Sequence, residues 1–187
     1  MLKNQWAPGL QRFLTGNCGW GVRTTEKIKE GDFILEYIGE VVSLKLFRDR
    51  MVNMYHNDSH HYCMSLGPHI VIDGYRAANE GRFVNHSCEP NCVMQKWSVD
   101  GMYRMGLFAA RDIEAGEELS YDYNFDSYNA ETQQECRCGS KRCRGVIGGR
   151  SKGDRRGSTD ATTATSTTVK KVKRGRKSTK DQNDVPN

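Results

Sequence analysis

RFVNHSCEPNC, Arg82 to Cys92, and ELSYDYNF, Glu118 to Phe125, are the two stretches on which the reading of this chain turns. The first sets Asn85 and His86 beside two cysteines and a proline, a polar knot inside a strand-rich region. The second puts Tyr121, Tyr123 and Phe125 at alternate positions. Alternate side chains of an extended segment share one face, so these rings would stand in a row. A row of rings beside an Asn/His pair describes a narrow slot for an uncharged amine or a methyl group. That slot is the candidate active site.

Around it, 187 residues leave room for one domain and a tail. The net charge of +5 is unevenly spread: from Ser151 onward lie 10 of the 28 Lys+Arg and 4 of the 23 Asp+Glu. The tail is therefore +6 and the rest −1. All 8 Tyr, 6 Phe, 3 Trp and 7 Cys precede it, so the core lies there too. Without a ring, the Ser/Thr/Lys/Arg-rich tail cannot bury enough apolar surface to offset its ordering cost and reads as disordered. No apolar run approaches the roughly 18–20 residues of a membrane span, and no signal-peptide pattern opens the chain, so no membrane partner is expected. An odd cysteine count and a tight C-x-C-x4-C cluster, Cys136, Cys138 and Cys143, favour metal ligation in a reducing compartment over a disulfide framework. Those are three thiolates, one short of a tetrahedral zinc site.

Taken in order, residues 1–17 read as an irregular lead-in. Residues 21–24 and 33–38 read as a hairpin about Lys29-Glu30-Gly31-Asp32. Ser43 is a plausible N-cap for a helix to about His56, with Leu44, Phe47, Met51 and Met54 on one stripe. Residues 60–66 and 69–73 read as short strands about Gly67-Pro68, and 76–84 as a helical or looped passage. Residues 92–99 and 102–108 flank Asp100-Gly101, the strongest hairpin signal in the chain. Gly21-Val22…Ile28-Lys29-Glu30-Gly31-Asp32 is echoed by Gly106-Leu107…Ile113-Glu114-Ala115-Gly116-Glu117 at a constant offset of 85. Two such strand–turn–strand units at opposite ends of the core imply small sheets of short strands. No G-x-G-x-x-G follows a strand, which disfavours a Rossmann fold.

On RFVNHSCEPNC and ELSYDYNF the chain resembles the SET-domain protein lysine methyltransferases. GWGV at 19–22 is similar to that family's first cofactor motif, and CRCGSKRC at 136–143 to its zinc-binding post-SET segment. EYIGEVV at 36–42, QKWSVDG at 95–101 and GVIGG at 145–149 sharpen the resemblance toward the Ash/NSD group, and within it toward Ash. The resemblance implies a mainly β SET β-clip fold with a C-terminal pseudoknot. It divides the chain into a lead-in at 1–17, a SET domain at 18–126, a post-SET linker and zinc motif at 127–149, and the tail at 150–187. The group carries a cysteine-rich zinc segment upstream; it is missing here, so the sequence is expected either to be a fragment or to have lost that segment.

The resemblance further implies S-adenosylmethionine as cofactor, held by Cys18, Gly19, Trp20, Gly21, His61, Tyr62, Arg82, Phe83, Asn85, His86 and Gln134. Tyr123 would be catalytic and Tyr121 would limit the number of methyl groups added. Tyr62 and Phe125 would line the lysine channel. Cys88 would join Cys136, Cys138 and Cys143 about one structural zinc ion. The polar linker Asp126 to Glu135 would lie across the channel and move for substrate. The implied activity is mono- and dimethylation of lysine 36 of histone H3 on nucleosomes, in the nucleus on the chromosome. A lysine 4 enzyme and a lapsed, zinc-stapled chromatin-binding module are the alternatives. An MRG-family chromodomain activator is an implied partner. In the tail, Arg174 and Arg176 resemble the centre of an AT-hook without its proline, alongside a nuclear-localisation signal as a second reading. DNA attraction that weakens with salt follows from its charge.

Overall fold

A computed structural model describes residues 7–58, 62–123 and 134–148 of the chain. Its elements are β1 (Leu10–Leu14), β2 (Trp20–Thr24), β3 (Phe33–Tyr37), β4 (Glu40–Ser43), α1 (Leu44–Asn53), β5 (Cys63–Gly67), β6 (Ile70–Asp73), a 3-10 turn (Glu80–Phe83), β7 (Asn85–His86), β8 (Cys92–Val99), β9 (Met102–Ala109) and β10 (Ser120–Tyr121). They form four small sheets in the orders β1-β2, β3-β9-β8, β4-β6-β5 and β10-β7. This is the mainly β architecture expected. The predicted tail at 150–187 lies outside the described residues.

Two local readings are corrected. The segments at 21–24 and 33–38 are strands but do not form a hairpin with each other: β2 pairs with β1, and β3 with β9. The lead-in is not irregular throughout, because β1 forms a full antiparallel ladder with β2. Its alternation is faint because neither face is well buried; Leu14 is 69% exposed. Cross-strand contacts such as the Arg23 guanidinium over the Phe13 ring, at 5.3 Å, help to hold it instead. The β8–β9 hairpin forms as its turn signal requires, with positive φ at Asp100 (50°) and Gly101 (80°).

The 85-residue echo has a structural meaning that its sequence positions obscure. The two units are not at opposite ends of the core; they pair with each other. Ile28 and Ile113 exchange both backbone hydrogen bonds at 2.9 Å, and the antiparallel run continues through Thr24 N–H to Glu117 O, Leu119 N–H to Val22 O, and Ala109 N–H to Asp32 O. Because 28 and 113 are themselves 85 apart, a local two-fold axis passes between them. Gly31 and Gly116, equivalent in the echo, have φ of 85° and 88°, a conformation glycine adopts without steric cost. Lys27 and Lys29 face Glu114 and Asp112 across the axis, exposed pairs of little energetic weight. Val22, Leu107, Ile113 and Leu119, all 0% exposed, fill the space beneath this ladder, so its backbone pairing and the main core support each other.

Ser43 caps α1 by accepting from Leu46 N–H at 3.2 Å. The helix ends at Asn53, short of the expected His56, and Met54 leaves the predicted stripe to become an exposed cap residue while Phe47 carries the burial. The helix is bound to its sheet by Asp73, a fully buried carboxylate that accepts from Arg50 Nη1 (2.7 Å), the Tyr55 hydroxyl (2.9 Å) and Tyr75 N–H (3.0 Å). A charge removed from water is tolerated only when partnered in this way.

The local two-fold pairs residues of unequal burial, since Ile28 is half-buried and Ile113 is sealed. Ile113→Ala is expected to cost about 3 kcal/mol, the range for emptying a core position, and Ile28→Ala about 1 kcal/mol. Urea denaturation of the two variants measures the difference.

Candidate active site and metal centre

The site is built on β7, whose alternation divides its side chains between two tasks. Asn85 points one way: its amide donates to Trp20 O at 3.2 Å and to Glu118 Oε1 at 3.0 Å, tying the Gly19-Trp20-Gly21 loop to the start of the YDY strand. The packing leaves no room at Gly21, where a Cβ would lie 2.8 Å from Glu118 Oε1 and 3.1 Å from Asn85 Nδ2. Gly19, with φ 72°, has nothing within 4 Å of its missing Cβ and opens to solvent. Thr15 closes the loop by donating its hydroxyl to Gly19 O at 2.8 Å and accepting from Cys18 N–H at 3.0 Å.

From this loop a run of alternating rings and guanidinium groups leads away. Arg12 lies 4.5 Å from the Trp20 ring and 5.4 Å from that of Phe83. Arg82 lies 5.2 Å from Phe83 and 4.0 Å from Tyr62, which neighbours Tyr75. Trp20, Tyr62, Arg82, Phe83 and Asn85, named from sequence as cofactor residues, are thus brought together, whereas the His86 ring faces the other side of β7. The flat, half-exposed indole, the cations along it and the open backbone at Gly19 suit a ligand with an aromatic base and a carboxylate. S-adenosylmethionine fits that description.

On the other side of β7, β10 runs parallel to it, pairing Ser120 with Asn85 and Tyr121 with His86. This is the crossing on which the expected pseudoknot is built. The Tyr121 and Tyr123 rings lie 4.7 Å apart, tilted by 43°, so the predicted ring row holds for these two. Tyr123 donates its hydroxyl to Val84 O at 2.7 Å, and its backbone N–H donates to His86 Nδ1 at 3.1 Å. Burial first, then the nearby Tyr37, Tyr62, Cys18 and Glu118, raise the Tyr123 phenol well above its usual range, which keeps it protonated. Burial does the same to Tyr121, with Tyr123 and Tyr37 adding to it. Burial lowers His86, with Asp122 opposing.

Cys88, Cys136, Cys138 and Cys143 bring their sulfur atoms within 4.8 Å of one another. Tetrahedral ligation at the usual zinc–sulfur length places thiolates about 3.8 Å apart, and Cys88 and Cys136 are separated by 3.7 Å. Backbone N–H groups of Arg144 and Gly145 donate to Cys88 (3.3 Å) and Cys143 (3.4 Å), as around a negatively charged metal–thiolate centre. The four residues named from sequence therefore fit one zinc ion. Cys18, Cys63 and Cys92 stand outside the cluster, with burial pushing Cys63 and Cys92 up to about 12. Two ion pairs dock the same segment on the core: Arg142 on Glu89 at 2.8 Å and Arg144 on Asp122 at 2.5 Å.

Of the remaining sequence-derived positions, Cys18 is exposed on the glycine loop and Gln134 is exposed, its carbonyl accepting from Ile147 N–H at 2.9 Å. His61, Phe125, Arg174, Arg176 and nearly all of the 126–135 linker lie outside the described residues. Sequence reasoning missed Arg12, Glu118, Asp122, Arg144 and the Val84 carbonyl. The acidic residues had a signal, since each adjoins a recognised motif, but the carbonyl of an apolar residue had none.

Residues 19–124 match the SET domain family. The chain belongs to that family. It is 60% identical over 146 residues to histone-lysine N-methyltransferase ash1 of Drosophila melanogaster, covering 78% of this chain and 7% of the fly protein. It is 45% identical over 143 residues to the histone-lysine N-methyltransferase, H3 lysine-36 specific, of Chaetomium globosum, covering 75% of this chain and 16% of the fungal protein. The chain thus spans only a small part of these relatives. The crystal structure of the methyltransferase domain of human SETMAR superposes with a TM-score of 0.65 at 36% identity, covering 74% of this chain and 57% of that one. The SET β-clip reading and the Ash resemblance are both upheld.

Metal analysis of the purified chain is expected to find one zinc per SET domain. The content should fall toward zero in Cys88→Ala and stay at one in Cys63→Ala, whose sulfur stands outside the cluster.

Proposed function

We propose that this chain is the catalytic core of an S-adenosylmethionine-dependent protein lysine N-methyltransferase that mono- and dimethylates lysine 36 of histone H3 on nucleosomes, in the nucleus. One observation carries the reading. A half-buried, protonated phenol, Tyr123, donates its hydroxyl proton to Val84 O at 2.7 Å beside the Asn85-bound glycine loop. A phenol oxygen that donates can also accept, and an amine N–H or a polarised methyl C–H is what it suits. The choice of lysine 36 is supported by the name of the fungal relative.

When bound, S-adenosylmethionine supplies an electrophilic methyl group on a positively charged sulfur. The protein's share of the work is alignment. Lysine begins with a pKa of about 10.4 and must be neutral to attack. The rings of Tyr121, Tyr37 and Tyr62 gathered near Tyr123 would desolvate the ammonium of a lysine placed against them and so favour its neutral form. No carboxylate base is required of the chain. Tyr123 Oη holds the amine with its lone pair directed along the displacement axis, where orientation and excluded water give most of the acceleration. Tyr121, 6% exposed, places a second hydroxyl in the wall. That hydroxyl holds the amine or a water and takes the space a third methyl group needs. The four thiols pin the post-SET segment over β7 through zinc, which supplies folding free energy and no chemistry.

Tyr123→Phe is expected to lower kcat on recombinant nucleosomes by about 100-fold or more while S-adenosylmethionine binding changes far less, as for loss of one preorganised polar contact. Methyl transfer mapped by mass spectrometry and cofactor titration check this, and a wild-type chain inactive at lysine 36 overturns the substrate assignment. Tyr121→Phe is expected to shift the product toward trimethyllysine, and an unchanged product distribution removes Tyr121 from that role.

A further inference from the structure

The post-SET segment sends the rest of the chain out beside the reacting end of the site. The Arg144 side chain reaches Asp122, the sequence neighbour of Tyr123, at 2.5 Å, and its backbone N–H reaches Cys88 Sγ at 3.3 Å. Gly148, the last residue of this described segment, is buried four positions further on, next to Ile147, whose N–H donates to Gln134 O at 2.9 Å. Four residues span at most about 14 Å, so with one arginine side chain added the exit lies within about 25–30 Å of Tyr123. Lys170 follows Gly148 by 22 positions. A Gly/Ser-rich coil of that length has a root-mean-square span of about 25 Å and reaches about 75 Å when fully extended. The span matches the distance to be crossed. Under that condition a tethered group has its highest effective concentration, about millimolar.

The sequence beyond Gly148 also singles out one amine. Residues 161–169, ATTATSTTV, carry no charge and no side chain larger than valine, and Lys170 follows them directly. None of the other five lysines beyond Gly148 is preceded by more than two uncharged residues. A site lined by aromatic rings takes small uncharged flanks at little cost, whereas charged ones must be desolvated. Threonine and valine also favour the extended backbone that threads a narrow slot.

We propose that the chain methylates its own tail, with Lys170 delivered in cis to Tyr123 from the post-SET segment. This rests on the methyltransferase reading above. Lys170 Nζ, neutral after giving its proton to solvent, donates its lone pair to the methyl carbon of S-adenosylmethionine. The N–C bond forms as the C–S bond breaks, and the sulfur keeps the bonding pair. The products are methylated Lys170 and S-adenosylhomocysteine. Usual KM values run from about 1 μM to 1 mM, so a millimolar tethered lysine needs no docking surface of its own.

The test incubates the full chain with S-adenosylmethionine and no histone, and reads the tail by mass spectrometry. The expected result is methyl on Lys170, at a fractional rate that stays constant over about a 100-fold range of chain concentration, as a cis step requires. Methyl present at purification, and missing from Tyr123→Phe, counts as the same result. Lys170→Arg should remove the modification and leave nucleosome methylation unchanged. A peptide of residues 158–180, offered at about 10 μM to the Lys170→Arg chain, should react about 100-fold more slowly than the tethered tail. An unmodified tail on a chain that methylates nucleosomes, methyl on a different tail lysine instead, or a rate that rises with chain concentration overturns the proposal. A chain that methylates neither nucleosomes nor its tail overturns the methyltransferase reading, and this one with it.

Discussion

Between Asn85–His86 and Ser120–Tyr121 the chain makes a parallel pair only two residues long, and every part of the site depends on it. A two-residue ladder has no stability of its own, so the pair is held from its flanks. Asn91, 3% exposed, accepts from Ser120 N–H at 2.9 Å and donates to Glu118 O at 2.8 Å, bracing the strand that carries the tyrosines. Leu119 and Val84, sealed in the core, sit on either side of the crossing. The ladder about Ile28 and Ile113 then delivers residues 116–119 to that place, because Leu119 N–H bonds to Val22 O.

The pairing explains how one short strand faces both the glycine loop and the cysteine cluster. Successive side chains of an extended segment point to opposite faces. Asn85 faces the glycine loop and Glu118, whereas His86 and Cys88 face the YDY strand and the post-SET thiols. A shift of one residue in this register would exchange the faces and dismantle both at once. Ion pairs from Arg142 and Arg144 reach residues 89 and 122, on the two chain segments that leave the crossing. The post-SET segment is therefore seated on the point where tertiary order is most concentrated.

Much of this was legible in the chain because it is local. The Asp100-Gly101 turn, the Ser43 cap and the C-x-C-x4-C cluster each encode their geometry within a few residues, and each forms as read. The 85-residue echo was legible as repetition but not as contact; its two halves were placed apart, and they meet. The false hairpin between 21–24 and 33–38 has a related cause. Alternation marks a strand but does not name its partner, and both strands found partners elsewhere, β1 and β9.

By itself the sequence determined most of the extended segments, the sharpest turn, which thiols and rings stand in recognisable motifs, and to which family the chain belongs. Those properties reside in residue type and short-range spacing. Only the tertiary structure decided the partners: Asn85 with Trp20 and Glu118, Tyr123 with Val84 and His86, Arg144 with Asp122 and Cys88. Each joins residues 22 to 65 positions apart. Hydrogen bonds to backbone carbonyls and sulfur depend on where a fold brings atoms, and they leave no pattern in the order of side chains that a reader of the chain could find.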